Sequence, residues 1–305
     1  MKAFLKRCLL FFLTVAVVAG VMYGFNTWLQ QRDVYKVPKS VESLFIGDSH
    51  IKCTFDYSMI AHSINTAQTA EPYIMTYYKL LPIIENNPGI KNVILGFSYH
   101  NIAGENDTQF QNPSKVTSLY ATYYPVINYK DVKVEHCSWQ RYMKSVIKHK
   151  VLFNLMYTKN LIKRISGKGT PAYPYIGTYL RSTNKFHDNT KLRIPDHYYT
   201  ADSTVSRPSE ISKNYLLRIA DFLQKKNIKL YLVTSPLHPH YQAGIPEFYR
   251  REFQDFRKQL EQYPNVIYLD YENDFKTDDY FKDSDHLNVK GAKIISMRLD
   301  SILNQ

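Results

Sequence analysis

Cysteine is scarce in this chain, with three in 305 residues, at Cys8, Cys53 and Cys137. Cys8 lies inside an apolar N-terminal run, so only Cys53 and Cys137 remain to form one disulfide, and a disulfide-framework scaffold is excluded. Acidic residues are also few, 27 against 39 lysines and arginines, for a formal net charge of +12. That surplus favours anionic polymers or headgroups, and it equally fits a generically basic exported protein. No lysine-arginine stripe interleaves with a nucleic-acid motif, so nucleic acid is not an expected partner. The 11 glycines and 14 prolines do not gather into a linker, and no repeat of solenoid or propeller period occurs. At 44% hydrophobic residues the chain can build a substantial core in one globular body.

The N-terminus carries Lys2, Lys6 and Arg7 ahead of an uncharged run from Leu9 to Phe25. That run is at the short end of the roughly 20 residues that span a bilayer. Basic residues on its N-terminal side put the start of the chain in the cytoplasm and the body outside it, with Tyr23 and Trp28 suited to the far interface. The run reads as a single-pass anchor within residues 1–30, crossing the membrane at residues 9–25. A cleaved signal peptide is the alternative, since Val17 and Ala19 are small enough for a signal peptidase. Either way the body, residues 31–305, is expected to be extracytoplasmic, periplasmic or external.

Within the body, "VESLFIGDS" reads as a short buried strand ending in a turn, followed by a helix over about His50 to His62. "PYIMTYYKLLPIIENN" predicts a second helix that Pro82 should kink or divide. "KNVILGFS", "IKLYLVTSP" and "NVIYLDY" read as strands. "ISKNYLLRIADFLQKKN", "IPEFYRREFQDFRKQLEQY" and "NVKGAKIISMRLDSIL" read as amphipathic helices. Continuous apolar strands alternating with helices predict an α/β fold, a parallel sheet covered on both faces in three layers. The alternation fails over about residues 102–208, a region rich in Tyr, Lys and Asn with one basic helix expected near Trp139 to Lys163. It reads as an insertion over the end of the sheet where ligands bind in such folds.

Ser49 follows the first strand and opens a helix. Its hydroxyl is therefore expected where backbone N–H groups converge and negative charge is favoured, a setting that suits a nucleophile whose attack makes an oxyanion. Gly47 permits the turn. A plain helix cap of Asp48 and Ser49 explains the same tripeptide. Near the other end, "YFKDSDHLNVKGAKIIS" places Asp283 three residues before His286, with Asn288 as a cap. At that spacing a carboxylate can accept the proton of one imidazole nitrogen and leave the other for a serine. Asp285, directly beside the histidine, is expected to point elsewhere. The competing readings are a solvated acidic turn, or a carboxylate-imidazole metal site of Asp283, Asp285 and His286, with His238 and His240 of "SPLHPHY" as further ligands. No spacing matches a compact metal signature, and neither a metal nor a cofactor is expected.

Taken together, the two segments resemble the SGNH, or GDSL-like, hydrolase superfamily over roughly residues 41 to 305. Gly47-Asp48-Ser49 matches its first block and Asp283-x-x-His286 its last. The resemblance implies a flavodoxin-like three-layer fold with Ser49 as nucleophile, His286 as general base and Asp283 as its orienting partner. The middle blocks depart from the pattern. The family's oxyanion-hole glycine has no match in "SINTAQTAEPY", where a backbone N–H near Thr66 to Thr69 would have to serve, beside Gln68. Its Gly-x-Asn-Asp stands here as Gly96-Phe97-Ser98-Tyr99. Ser98 therefore holds the asparagine position, and Asn101 is the nearest amide.

A membrane-anchored, extracytoplasmic body of this kind is similar to SGNH-like proteins that acylate envelope polymers, among them the D-alanyl transfer protein of teichoic acid modification and the alginate and peptidoglycan O-acetyltransferases. The order of the blocks favours the first. That similarity implies an envelope glycan or acylated carbohydrate as substrate, and a membrane-bound acyl-donor protein as partner. The tyrosines of "SLYATYYPVINYK", "AYPYIGTYL" and "DHYYT" suit sugar rings, or else pack the insertion onto the sheet. His238 is expected near the pocket, or in a proline-rich turn. The non-enzymatic alternative is a glycan-binding or envelope-assembly protein on the same fold.

Overall fold

The protein is described by a computed structural model at residues 1–33, 37–123 and 176–304, with short stretches between 126 and 166. The first helix, α1 (Lys2–Asp33), is continuous. Its segment Lys2–Asn26 is long and apolar enough to cross a membrane, and its apolar stretch is not buried, a description that a signal sequence also meets; at its end Asn26 is buried and donates to Thr158 Oγ1 at 2.6 Å. Phe4, Leu9, Phe11 and Phe12 are all exposed on it.

Five parallel strands form one sheet: β1 (Ser43–Ile46), β2 (Ser63–Asn65), β3 (Asn92–Gly96), β4 (Lys229–Thr234) and β5 (Val266–Asp270). Their order is β2-β1-β3-β4-β5, that of flavodoxin-like doubly wound sheets. Phe45 pairs with Asn65 on one side and Ile94 on the other, and Leu95 pairs with Leu232. Because successive side chains alternate in direction, Leu44, Val93, Leu95 and Leu230 serve one core. That core also contains Ile74, Leu80, Leu216 and Phe253. These come from α3 (Tyr73–Asn86), α7 (Glu210–Lys225) and α9 (Glu247–Leu260). Phe45, Ile94 and Val233 serve the opposite core with Ile51, Ile295 and Leu299, supplied by α2 (Ser49–Thr54) and α10 (Val289–Leu303). The expected three-layer α/β architecture is what the chain adopts.

Several local expectations are corrected. The helix expected to His62 ends at Thr54, where Phe55 turns extended and fills the core below β1. Asp56 then caps a short 3-10 turn at Tyr57–Met59, and the chain forms β2, too short and too polar to read as a strand beforehand. Pro82 does not divide α3, which runs through it as one helix.

The region 102–208 is less irregular than expected. It contains α4 (Glu105–Gln111), α5 (Pro113–Tyr123) and α6 (Thr190–Tyr198). Most of the basic helix expected at Trp139 to Lys163 lies outside the described residues, as does Cys137, while Cys53 is a buried free thiol. Tyr120, Tyr123 and Tyr198 are buried, so these tyrosines pack the region onto the sheet rather than facing a ligand. The last short helix, α8 (Pro239–Gly244), follows β4.

Candidate active site at the switch point of the sheet

In doubly wound sheets the crevice lies where strand order reverses, at the carboxyl ends of the central strands. Here that point is between β1 and β3, and the residues leaving both strands meet there. Gly47 makes the turn out of β1 with φ 122°, and a Cβ on it would sit 3.1 Å from Leu95. A side chain there is strained by the conformation, and Leu95 would have to give by a few tenths of an ångström to admit it. Asp48 caps α2 by accepting the His50 N–H at 3.0 Å. With only six residues, α2 supplies less dipole than the expected long helix.

The loop before α10 reaches the same point. His286 Nε2 lies 2.8 Å from Ser49 Oγ, and His286 Nδ1 lies 2.8 Å from Asp283 Oδ1. Thus Asp283 and His286, which the sequence pairs by spacing, form a continuous hydrogen-bonded chain with Ser49, the expected nucleophile. Asn288 caps α10, accepting from the N–H groups of Lys290 and Gly291 while its own amide donates to the carbonyls of Asp279 and Phe281. This fixes the base of the loop.

Asp285 does not point away. It is fully buried, with one oxygen 3.4 Å from His286 Nδ1 and the other 3.6 Å from His50 Nε2. Arg193 on α6 holds it, Nε donating at 3.1 and 3.3 Å and Nη2 at 3.0 Å. Burial alone would make His286 harder to protonate. The Asp285 charge, the hydrogen bond to Asp283 and the Asp283 charge outweigh it and push its pKa up to about 10. His50 moves the other way, to about 4, chiefly by burial and by the neighbouring His100.

The other expected residues are distributed as follows. Asp48 accepts from Asn101 Nδ2 at 2.7 Å and stands 2.6 Å from His100 Nε2. Burial opposes its ionisation, but His100 and the hydrogen bonds hold its carboxyl well below the usual range. Asn101 therefore does reach the site, while Ser98 stays beneath it, its N–H bonded to Asn101 Oδ1 at 2.8 Å. The backbone N–H groups expected to serve an oxyanion are all engaged. Thr66 donates to Phe45, Ala67 to Asn65, Gln68 to Gly47, and Thr69 to the Gln68 side chain. The Gln68 side chain itself accepts from Lys52. The next residue, Ala70, lines the pocket with φ 53°, a conformation that costs a non-glycine residue.

His238 is not in the pocket: it caps α8, lies 3.0 Å from Asp278 and stacks on Phe186. His240 pairs with Asp188. Neither joins the carboxylates of the last loop in a ligand set. Among the described residues, His50, Asp285 and His286 bring donor atoms within 4.8 Å of one another. However, both nitrogens of His286 are hydrogen-bonded already, and Asp285 is taken up by Arg193.

A cavity of about 160 Å³ opens over Ser49, lined also by His50, Ala70, His100, Asn101 and Arg193. A larger cavity between α7 and α9 lies away from the serine, whereas two others, of about 400 and 630 Å³, border the serine cavity, sharing Thr69, Ala70 and Glu105 in the first and Glu105 and Asp196 in the second. His100 was not anticipated; its signal in the sequence was its place in "SYHN", directly after the carboxyl end of β3. Its ring stacks on His50 at 4.0 Å, and His50 stands 4.9 Å from His286.

Fold and site define the class: a doubly wound α/β protein with a serine-histidine-aspartate chain at its switch point. Comparison with known proteins adds little to this. A protein-family model without a functional description matches residues 194–305, less than half of the chain. No curated protein matches. A solved structure described as a platelet activating factor from Streptococcus pneumonia is similar over 98% of both chains, at 13% identity and a TM-score of 0.39. A likeness that slight carries no argument about activity.

Proposed function

We propose that this protein is a serine-dependent enzyme of the SGNH type, catalysing acyl transfer or ester hydrolysis on a cell-envelope carbohydrate. The observation that supports it is the chain of two 2.8 Å contacts linking Ser49, His286 and Asp283. In this reading neutral His286 takes the Ser49 proton as Oγ attacks an ester carbonyl. The imidazolium, held by Asp283, then protonates the leaving alcohol, and an acyl-enzyme remains. A sugar hydroxyl or water gives its proton to His286 and attacks the acyl carbonyl, and His286 returns that proton to Ser49 Oγ as the acyl–serine bond breaks. Asn101 and the strained turn at Ala70 are nearest to supply donors to the oxyanion. The apolar helix α1 anchors the body on the outer side of the membrane, where an acyl-donor protein in the same membrane would deliver the group.

The test is release of acetate, or its transfer, from an O-acetylated oligosaccharide by the full-length protein in detergent. Turnover that disappears in Ser49→Ala supports the enzyme. Turnover equal in both proteins overturns it. One observation favours the rival reading of a glycan-binding or assembly protein: Asn101 already donates its amide to Asp48. That reading expects oligosaccharide binding without turnover, unchanged by Ser49→Ala.

A further inference from the structure

The segment that returns from the 102–208 region is joined to the Asp283–His286 loop at four consecutive positions. The His187 N–H donates to the Lys282 carbonyl at 3.0 Å, and His187 forms a parallel bridge with Asp283. Asn189 Oδ1 accepts from the Ser284 N–H at 3.1 Å and from the Ser284 hydroxyl. Arg193 grips Asp285 through three N···O contacts of 3.0 to 3.3 Å. Ser284 and Asp285 are both fully buried, so these contacts are not surface decoration. An ion pair taken out of water is stabilising only when its geometry is good and its remaining atoms are satisfied, and here two of the three Arg193 contacts come from one nitrogen across both carboxylate oxygens.

From this we infer that residues 187–193 are a positioning element of the active site, and that Asp285, held by Arg193, is a second carboxylate that governs the charge on His286. The inference rests on the serine reading for its catalytic meaning, though its electrostatic content stands apart from turnover. Asp283 fixes the imidazole by a direct hydrogen bond. Asp285, at 3.4 Å from the same nitrogen, acts chiefly through its charge, with a weaker hydrogen-bonding contribution beside it. Its freedom to do so depends on how much of its charge Arg193 absorbs. Every charged or titratable group facing His286 enters the balance. Asp283 and Asp285 come from its own loop, with Lys282 3.8 Å from Asp283. His50 comes from α2, with the Asp48 and His100 pair behind it. Arg193 comes from α6, where buried His197 is held neutral by burial and by His100.

The charge on His286 decides which proton transfer is easy. An imidazolium is ready to protonate a leaving group and slow to accept a proton from serine. A residue that tunes it is therefore placed to balance the two halves of the reaction.

The experiment is titration of the His286 ring by ¹⁵N NMR in the full-length protein in detergent, the resonance being assigned by its loss in His286→Ala. Asp285→Asn keeps the shape, removes the charge and exchanges one acceptor oxygen for a donor, and is expected to lower the His286 midpoint by at least about one pH unit. Arg193→Met leaves His286 as the nearest cation to Asp285 and is expected to raise it; Arg193→Lys restores the wild-type value. A midpoint unchanged in folded Asp285→Asn and Arg193→Met would overturn the inference, because a purely structural role changes stability and not the titration. Ser49 labelling by a fluorophosphonate, followed in parallel, judges the serine reading separately: labelled wild type with an unmoved midpoint sinks only the role of Asp285.

Discussion

His286 Nε2 and Ser49 Oγ stand 2.8 Å apart although 237 positions separate them in the chain. Parallel strands make this proximity, since every β-strand delivers its carboxyl end to the same edge and both loops leave from there. With the partner nitrogen of His286 on Asp283, the imidazole has one tautomer and one orientation.

The pH dependence follows from the two carboxylates. An unperturbed histidine would turn on near pH 6.5, and activity would then fall only in acid. With the His286 pKa at about 10, the free base grows through the alkaline range. Serine acylation is expected to accelerate from pH 6 to about 10, measured as the rate of fluorophosphonate adduct formation. A plateau above pH 7 would contradict the charge assignment. Stability carries the opposite sign. The charged pairing contributes fully below the unfolded value of about 6.5 and is lost as pH rises through about 10, so the melting temperature should decline over that window.

Removing the base is the simplest functional test. General-base assistance contributes on the order of 10² to 10⁴ in rate. His286→Ala should therefore lose that much turnover on an acetylated substrate, measured at saturating substrate, with the melting temperature used to confirm folding.

Asp48 holds the far side of the pocket together, as acceptor for the His50 N–H, for Asn101 and for His100. Asp48→Ala strands those donors and removes a helix cap, for a cost of about 2–4 kcal/mol in a urea titration. Its carboxyl is held below the usual range, so its contribution is present above about pH 4 and declines as pH falls toward the folded value. Asp48→Asn should thus show a smaller loss of stability between pH 6 and pH 3 than the wild type.

Behind the pocket, Lys79 and Glu71 form a fully buried pair at 2.5 Å, and Lys79 also donates to the Thr66 carbonyl. Tyr123 on α5 donates to the same carboxylate at 2.6 Å. The pair ties the turn at Thr66 to Glu71, which borders the pocket, to the inserted helices. Lys79→Met leaves an uncompensated buried charge and should cost about 3–5 kcal/mol in a denaturant titration. Lys79→Met with Glu71→Gln should recover part of it, whereas equal loss in both variants would place the defect in packing rather than charge.

The sequence was most informative where one physical signal dominated. "SLFI", "NVILG" and "KLYLVT" are buried on both faces of a parallel sheet, so their apolar runs are unbroken and legible. Asp283 and His286 could be paired because their spacing is local. β2 was not legible, since Ser63-Ile64-Asn65 borrows its strand conformation from pairing with β1 rather than from its own pattern. Asp285 was misjudged because its orientation is set by Arg193, 92 positions away, and no local rule brings those two together. The partners of the N–H groups proposed for an oxyanion were not legible for a related reason. The N–H groups of residues 66–69 are spent on tying β2 and its turn to β1 and to neighbouring side chains.

The measurement that bears most directly on the central claim is intact-protein mass after exposure of the full-length protein to a fluorophosphonate at pH 9, beside Ser49→Ala and His286→Ala. A single adduct on the wild type, absent from both variants, is the predicted result and would identify Ser49 as a serine activated by His286. An unlabelled wild type that is folded, or an adduct that persists in Ser49→Ala, would contradict it.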